Sequence, residues 1–116
     1  MRSVLLFAAA PLLFAALPAS ANDETIPAAI AAGAYDQAEQ AIQADLRIYP
    51  NRPELLLNLA AIYAKTGRTS EARAIYAKVL AQRDVLMDVR ADKVAGSHAI
   101  AAAGLRRVQS VQLTSR

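Results

Sequence analysis

Apolar positions from Leu56 to Leu80 fall into two helical stripes separated by a single short break. Leu56, Leu59, Ala60 and Tyr63 occupy i, i+3, i+4 and i+7, the spacing that lines one face of an α-helix. Asn51 stands three residues before Glu54, the capping-box spacing, and Pro53 falls in the first turn where its missing N–H costs nothing. Gly67, just after Lys65, supplies a residue able to enter the left-handed region and end the helix. Thr69 then reads as the cap of a second helix, in which Ala72, Ile75, Tyr76, Val79 and Leu80 repeat the period while Glu71, Arg73, Lys78 and Gln82 point outward. Two helices joined by so short a turn pack antiparallel.

The same pattern occurs once before, displaced by thirty-four residues. Gly33 precedes Gly67 by that interval, as Ala38 precedes Ala72, Leu46 precedes Leu80 and Pro50 precedes Asp84. The earlier unit has a short first helix, Ile26 to Ala32, with Thr25 as cap and Pro27 in the opening turn, then Ala38, Ile42 and Leu46 on its second helix. A helical repeat of this period points to a binding scaffold rather than to a catalytic site.

The run Leu56-x2-Leu59-Ala60-x2-Tyr63, Gly67 at the turn, then Ala72-x3-Tyr76-x2-Val79 resembles the tetratricopeptide repeat family, with Leu56 where the family often has Trp and Ala60 where it often has Gly. Small residues at Ala60 and Ala72 let helices approach closely, and Tyr63 and Tyr76 fill the space beside them. The resemblance covers about residues 26–86. It implies an all-α fold: a short solenoid of helical hairpins with two repeats, 26–50 and 51–84. It also implies that Glu54, Asn58, Ala61 and Lys65, with Leu57 beside them, form the concave, partner-facing side. Asn58 and Lys65 would hold a peptide backbone or carboxylate, and Leu57 an apolar side chain. The first helix of the earlier unit offers mainly Ala28, Ala29, Ile30 and Ala31, so the family's specialised clamp for C-terminal carboxylates is not expected.

The repeat is imperfect at two points. Asp45 holds the slot that Val79 fills in the second unit, and a buried carboxylate needs a partner. After Leu86 a third repeat would place Arg90 and Lys93 where Leu56 and Leu59 stood. The alternation of Val85, Met87 and Val89 with Leu86, Asp88 and Arg90 instead predicts a short extended segment within 86–95, a turn at Ala91-Asp92 and further extended chain at Val94-Ala95. Ser97 reads as the cap of a last helix, 97–110, with Ile100, Ala101, Leu105 and Val108 on one side and Arg106-Arg107 near its end. Such a helix would cover the open flank of the second repeat; dimerisation is the other way to cover it. The tail, 109–116, is expected to fray.

Residues 1–21 read as a cleaved leader: Met1-Arg2, an apolar run from Val4 to Leu17 broken by Pro11, and the small residues Pro18-Ala19-Ser20-Ala21. The run is shorter than the roughly 20 apolar residues that span a bilayer. The mature chain, with 22–108 as one helical domain, is expected to be exported and has no cysteine, so packing rather than disulfides must hold it. Both phenylalanines lie in the leader, which leaves a core of Ala, Leu, Ile and Tyr suited to close helices.

Charge divides along the chain. Asp23 to Glu54 carries six acids and two bases, whereas Lys65 to Arg116 carries ten bases and four acids. Arg83, Arg90, Lys93, Arg106 and Arg107 form a candidate basic patch for an acidic partner, an anionic membrane surface or the acidic half of another copy. Nucleic acid is not expected, since no stacking aromatic lies among these bases. Ser97 beside His98, the sole histidine, reads as a helix cap with an exposed neighbour rather than a nucleophile with its base. One histidine and no cysteine suggest neither a metal site nor a cofactor site. The expected function is therefore non-enzymatic: a protein-interaction module or assembly factor of the bacterial cell envelope, in the periplasm. A self-associating structural component and a peripheral binder of anionic membrane are the alternatives.

Overall fold

The computed structural model describes residues 21–90 and 92–114. The leader reading of 1–21 therefore lies outside the described residues, apart from Ala21. Four helices come first, α1 (Ala21–Ala31), α2 (Tyr35–Ile48), α3 (Pro53–Lys65) and α4 (Thr69–Ala81). Strands β1 (Leu86–Arg90) and β2 (Lys93–Gly96) come next, and helix α5 (Ser97–Thr114) ends the described chain.

The thirty-four-residue interval is reproduced in the backbone. Gly33 and Gly67 both adopt φ +79°, a region that costs an L-residue with a Cβ about 1–2 kcal/mol. Around each, the same pair of bonds closes the helix. Gly33 N donates to Ile30 O and Ala34 N to Ala29 O; Gly67 N donates to Ala64 O and Arg68 N to Tyr63 O. This is the Schellman pattern at two equivalent sites.

Helix starts differ from expectation. Pro53 opens α3, and Arg52 before it is extended at φ −68°, ψ 116°, with no side-chain cap bond. Proline disfavours helical geometry in the preceding residue, so the boundary falls after Arg52 and Asn51 caps nothing. Likewise Thr69 is the first residue of α4 rather than its cap, which is Arg68. α1 begins at Ala21 instead of Ile26, placing Thr25 and Pro27 inside it.

Two apolar clusters share α3. One joins Ile26, Ala38, Ile42, Leu55, Leu59 and Ile62 across α1, α2 and α3; the other joins Leu56, Leu57, Ala60, Ala72, Tyr76, Val79, Ala101 and Val108 across α3, α4 and α5. α3 is thus buried on more sides than its predicted stripe, because α5 packs on both α3 and α4. The open flank of the second repeat is covered from within the chain. α5 also runs four residues beyond the expected end at 110, to Thr114; 115–116 lie outside the described residues. Asp45 is half-buried and partnered rather than sealed like Val79.

A bidentate ion pair ties the first unit to the turn of the second. Arg68 donates through both terminal nitrogens to Glu39 at 2.8 Å, donates from Nε to Thr66 Oγ1, and lies 4.4 Å from the Tyr63 ring centroid. The Arg68 hydrogen bonds hold the Glu39 carboxyl below its ordinary pKa, against the opposing effect of desolvation.

The extended segment near 86–95 is an antiparallel hairpin, with Leu86 opposite Gly96, Met87 opposite Ala95 and Asp88 opposite Val94, and a bulge between Asp88 and Arg90. Its base is fastened to α5. Ser97 N donates to Val85 O at 2.7 Å, and Val85 N donates back to Ser97 Oγ at 2.9 Å. The Asp84 carboxylate accepts from Ser97 Oγ and from His98 N at 3.0 Å. Asp84, from the preceding loop, therefore caps α5; Ser97 is fully buried and serves the hairpin instead.

Candidate functional site

The groove that this packing leaves is bordered by α1, α3, α5 and the hairpin, with Arg52 beside the start of α3. α3 contributes Glu54, Leu55, Leu57, Asn58 and Ala61, and α5 contributes Ala99, Ile100, Ala103, Gly104 and Arg107. α1 adds Ile26 and Pro27, while the hairpin adds Met87, Asp88, Val89, Lys93 and Ala95 as a wall. The cavity has a volume of about 720 Å³, within the range of roughly 300–1,000 Å³ usual for ligand pockets. No residue of α2 lines it, and α4 reaches it only through Tyr76.

Close helix approach forms the floor. A Cβ added at Gly104 would stand 2.3 Å from Tyr76 Cζ and 2.6 Å from its hydroxyl oxygen. The glycine is thus the space into which the Tyr76 ring fits. Burial raises the Tyr76 phenol above its ordinary pKa, partly offset by the positive charge of Arg107. The floor is accordingly apolar, with a neutral hydroxyl and a guanidinium at one side.

Four of the five predicted concave residues converge here: Glu54, Leu57, Asn58 and Ala61. Lys65 does not line the cavity. Leu57 has a different part from the one expected, since it is 6% exposed and belongs to the core, presenting only its edge to the groove. Of the basic patch, Lys93 and Arg107 line the groove, whereas Arg83 and Arg106 are exposed and lie outside that lining. The side chain of Arg90 is outside the described residues. The four described bases therefore divide between the groove and other surface.

The contributions of α1, α5 and the hairpin were not expected. Ile26 and Pro27 carry a weak signal because α1 has little amphipathic character. The wall residues have none, since nothing in an alternating run says which helix it will face.

Ser97 and His98 are both engaged structurally. The His98 ring Nε2 lies 2.6 Å from Gln82 O, and Ser97 Oγ bonds to Val85 N and Asp84. His98 is half-buried rather than exposed. Among the described residues, no cluster of three or more His, Cys, Asp or Glu side chains is arranged to hold a metal ion, and no helix is long and apolar enough to cross a membrane.

Comparison with known families places the repeat within a wider class. A family model described as tetratricopeptide repeat matches residues 29–86, half of the chain, spanning α2, α3 and α4. No curated protein and no solved structure matches the chain.

Proposed function

The chain belongs to the tetratricopeptide repeat family, typically a non-catalytic protein-interaction repeat, and on that premise we propose that it is an interaction module or assembly factor of the bacterial cell envelope, working in the periplasm. The partner, a short peptide or a single helix, lies in the groove between α3, α5 and the hairpin. The observation that carries this reading is the convergence of Glu54, Leu57, Asn58 and Ala61 with α5 on one apolar-floored cavity of about 720 Å³. Export is supported by the leader pattern of residues 1–21 alone.

Capture of partners from an envelope extract tests the reading. Tagged protein is compared with Ala103→Arg, which places a long cation over the groove from α5 without touching the buried clusters. Equal capture of a specific partner by both proteins would exclude the groove. Fractionation of the cells that make the protein tests the compartment, and recovery with cytoplasmic markers would exclude the periplasm. A second reading, peripheral contact with anionic lipid, gains less support, because among the described residues of the predicted patch Lys93 and Arg107 line the groove while Arg83 and Arg106 lie outside it.

A further inference from the structure

The groove floor holds a polar group that the fold itself leaves unused. Tyr76 is 6% exposed, and it is the side chain through which α4 borders the cavity. A Cβ added at Gly104 would stand 2.6 Å from the phenol oxygen, so the hydroxyl end of the ring lies against α5. Among the described residues that hydroxyl makes no hydrogen bond. Buried polar groups are nearly always paired. An unpaired one bordering a groove is a point at which a ligand gains a bond that the free protein lacks.

Charge narrows the chemistry of that ligand. Arg52, Glu54, Asp88, Lys93 and Arg107 all line the cavity, so its net charge does not choose an occupant, but their placement does. Arg52 and Glu54 stand two residues apart at the start of α3, and Asp88 and Lys93 occupy neighbouring rungs of the hairpin. Each of these acids thus has a base near it in the chain or the register. Arg107 has no such acid: α5 contains no acidic residue, and α3 has none beyond Glu54 in its first turn. Arg107 follows Gly104 by one turn on the same side of α5, and its guanidinium is the charge that acts on the Tyr76 phenol. Burial, the larger effect, raises that phenol's pKa, so the hydroxyl stays protonated and donates. A guanidinium can only donate. Both groups therefore call for an acceptor, and the positive one favours an anion.

Resting on the groove reading above, we infer that the floor carries a carboxylate subsite, in which the Tyr76 hydroxyl and Arg107 hold an Asp or Glu side chain of the partner segment. Apolar residues on one side of that acid lie along Leu57, Ile100 and Ala103. Arg107 stands within α5, which runs on to Thr114, so the partner chain is not forced to end at the subsite and an internal acid fits. Arg107 is exposed, and salt screens its attraction. The buried hydroxyl adds the selectivity, because a bond to a carboxylate is stronger than one to a neutral amide.

The probe is an octapeptide of Leu, Ala and Ser with one Trp and one Glu, acetylated and amidated so that the Glu side chain is its sole carboxylate. The protein has no Trp, so the fluorescence of the peptide's Trp follows binding to the purified protein. Gln in place of the peptide's Glu weakens binding about tenfold or more. Tyr76→Phe or Arg107→Gln in the protein removes most of that preference, and Arg107→Lys keeps part of it. Stability is the second readout: because the hydroxyl has no hydrogen bond among the described residues, Tyr76→Phe does not lower the urea midpoint.

No binding of the Glu peptide, equal binding of the Gln peptide, or an unchanged preference in Tyr76→Phe would overturn the inference. So would a lower urea midpoint in Tyr76→Phe, which would show that the hydroxyl is already bonded within the fold. Tighter binding of a Gln peptide with a free C-terminus would overturn it too, by making a chain end the occupant. Ala103→Phe, an uncharged block, separates the inference from the groove reading. If it abolishes binding of both peptides and of the cellular partner while Tyr76→Phe binds that partner normally, the groove stands and the subsite is wrong. If it leaves all binding intact, the groove reading fails and the inference with it.

Discussion

Replacing Gly104 by Ala sets two effects of opposite sign against each other. In an exposed helix interior the change stabilises by about 1 kcal/mol, because Gly is a poor helix former. Here the new methyl would meet Tyr76 Cζ at 2.3 Å, Cε1 at 2.5 Å and the hydroxyl oxygen at 2.6 Å. Reaching ordinary contact near 3.4 Å requires a relative shift of roughly 1.1 Å, and overpacking of this kind costs typically 1–3 kcal/mol. Tyr76 is 6% exposed and packed with Ala72, Val79 and Ala101. The expected net result is a loss of about 1–2 kcal/mol, the cost of overpacking less part of the propensity gain. A double-mutant cycle isolates the cause. With Tyr76→Leu, the obstructing ring is gone and Gly104→Ala should become neutral or stabilising by up to about 1 kcal/mol. Urea unfolding monitored by circular dichroism reads all four proteins. A stabilising Gly104→Ala in the native background would refute the reasoning, since it would mean that α5 does not lie against Tyr76.

Gly67→Ala should cost about 1–2 kcal/mol by forcing a Cβ into φ +79°, and Gly33→Ala a comparable amount if the two turns are equivalent; urea midpoints measure both. Stability should fall in acid. Hydrogen bonds from His98 N and Ser97 depress Asp84, as the Arg68 hydrogen bonds depress Glu39, so both contributions are complete above the ordinary carboxylate range near pH 4 and are lost as pH drops through the depressed folded-state values. The acid limb of a stability profile should therefore be shallower in Glu39→Gln and in Asp84→Asn; identical limbs would contradict this. Ile62→Ala, at a site with no exposure, should lose about 2–5 kcal/mol in the same unfolding assay. Asp84→Ala should loosen the hairpin base, seen as faster exchange of the Ser97 amide with little change at Ile62.

Local rules gave the second repeat because its signals agree with one another. Leu56, Leu59, Ala60, Ala72, Tyr76 and Val79 are buried as their spacing predicts, and Gly67 turns the chain where a left-handed residue was needed. Caps were less legible. Asn51, Thr69 and Ser97 have the right side chains, but Pro53 moved one boundary, and Asp84, thirteen residues from Ser97, supplied the cap of α5. A cap borrowed across a hairpin leaves no local trace.

The groove was half legible for the same reason. Glu54, Asn58 and Ala61 can be placed by helical geometry on α3 once the buried stripe is known. The burial of Leu57 depends on α5, whose docking against α3 and α4 is a tertiary choice. Gly104 shows the limit well: in sequence it is a helix-weakening residue between Ala103 and Leu105, and only the position of the Tyr76 ring explains it.

The central claim is that the groove between α3, α5 and the hairpin receives a protein partner. Site-specific photo-crosslinking in living cells addresses it directly, with the photoreactive residue placed at Ala61 or Ala103 in the groove and at Gln40 or Ala77 on exposed positions of α2 and α4. The account predicts a discrete partner adduct from Ala61 and Ala103 and none from Gln40 or Ala77. Adducts from α2 and α4 with none from the groove would contradict it.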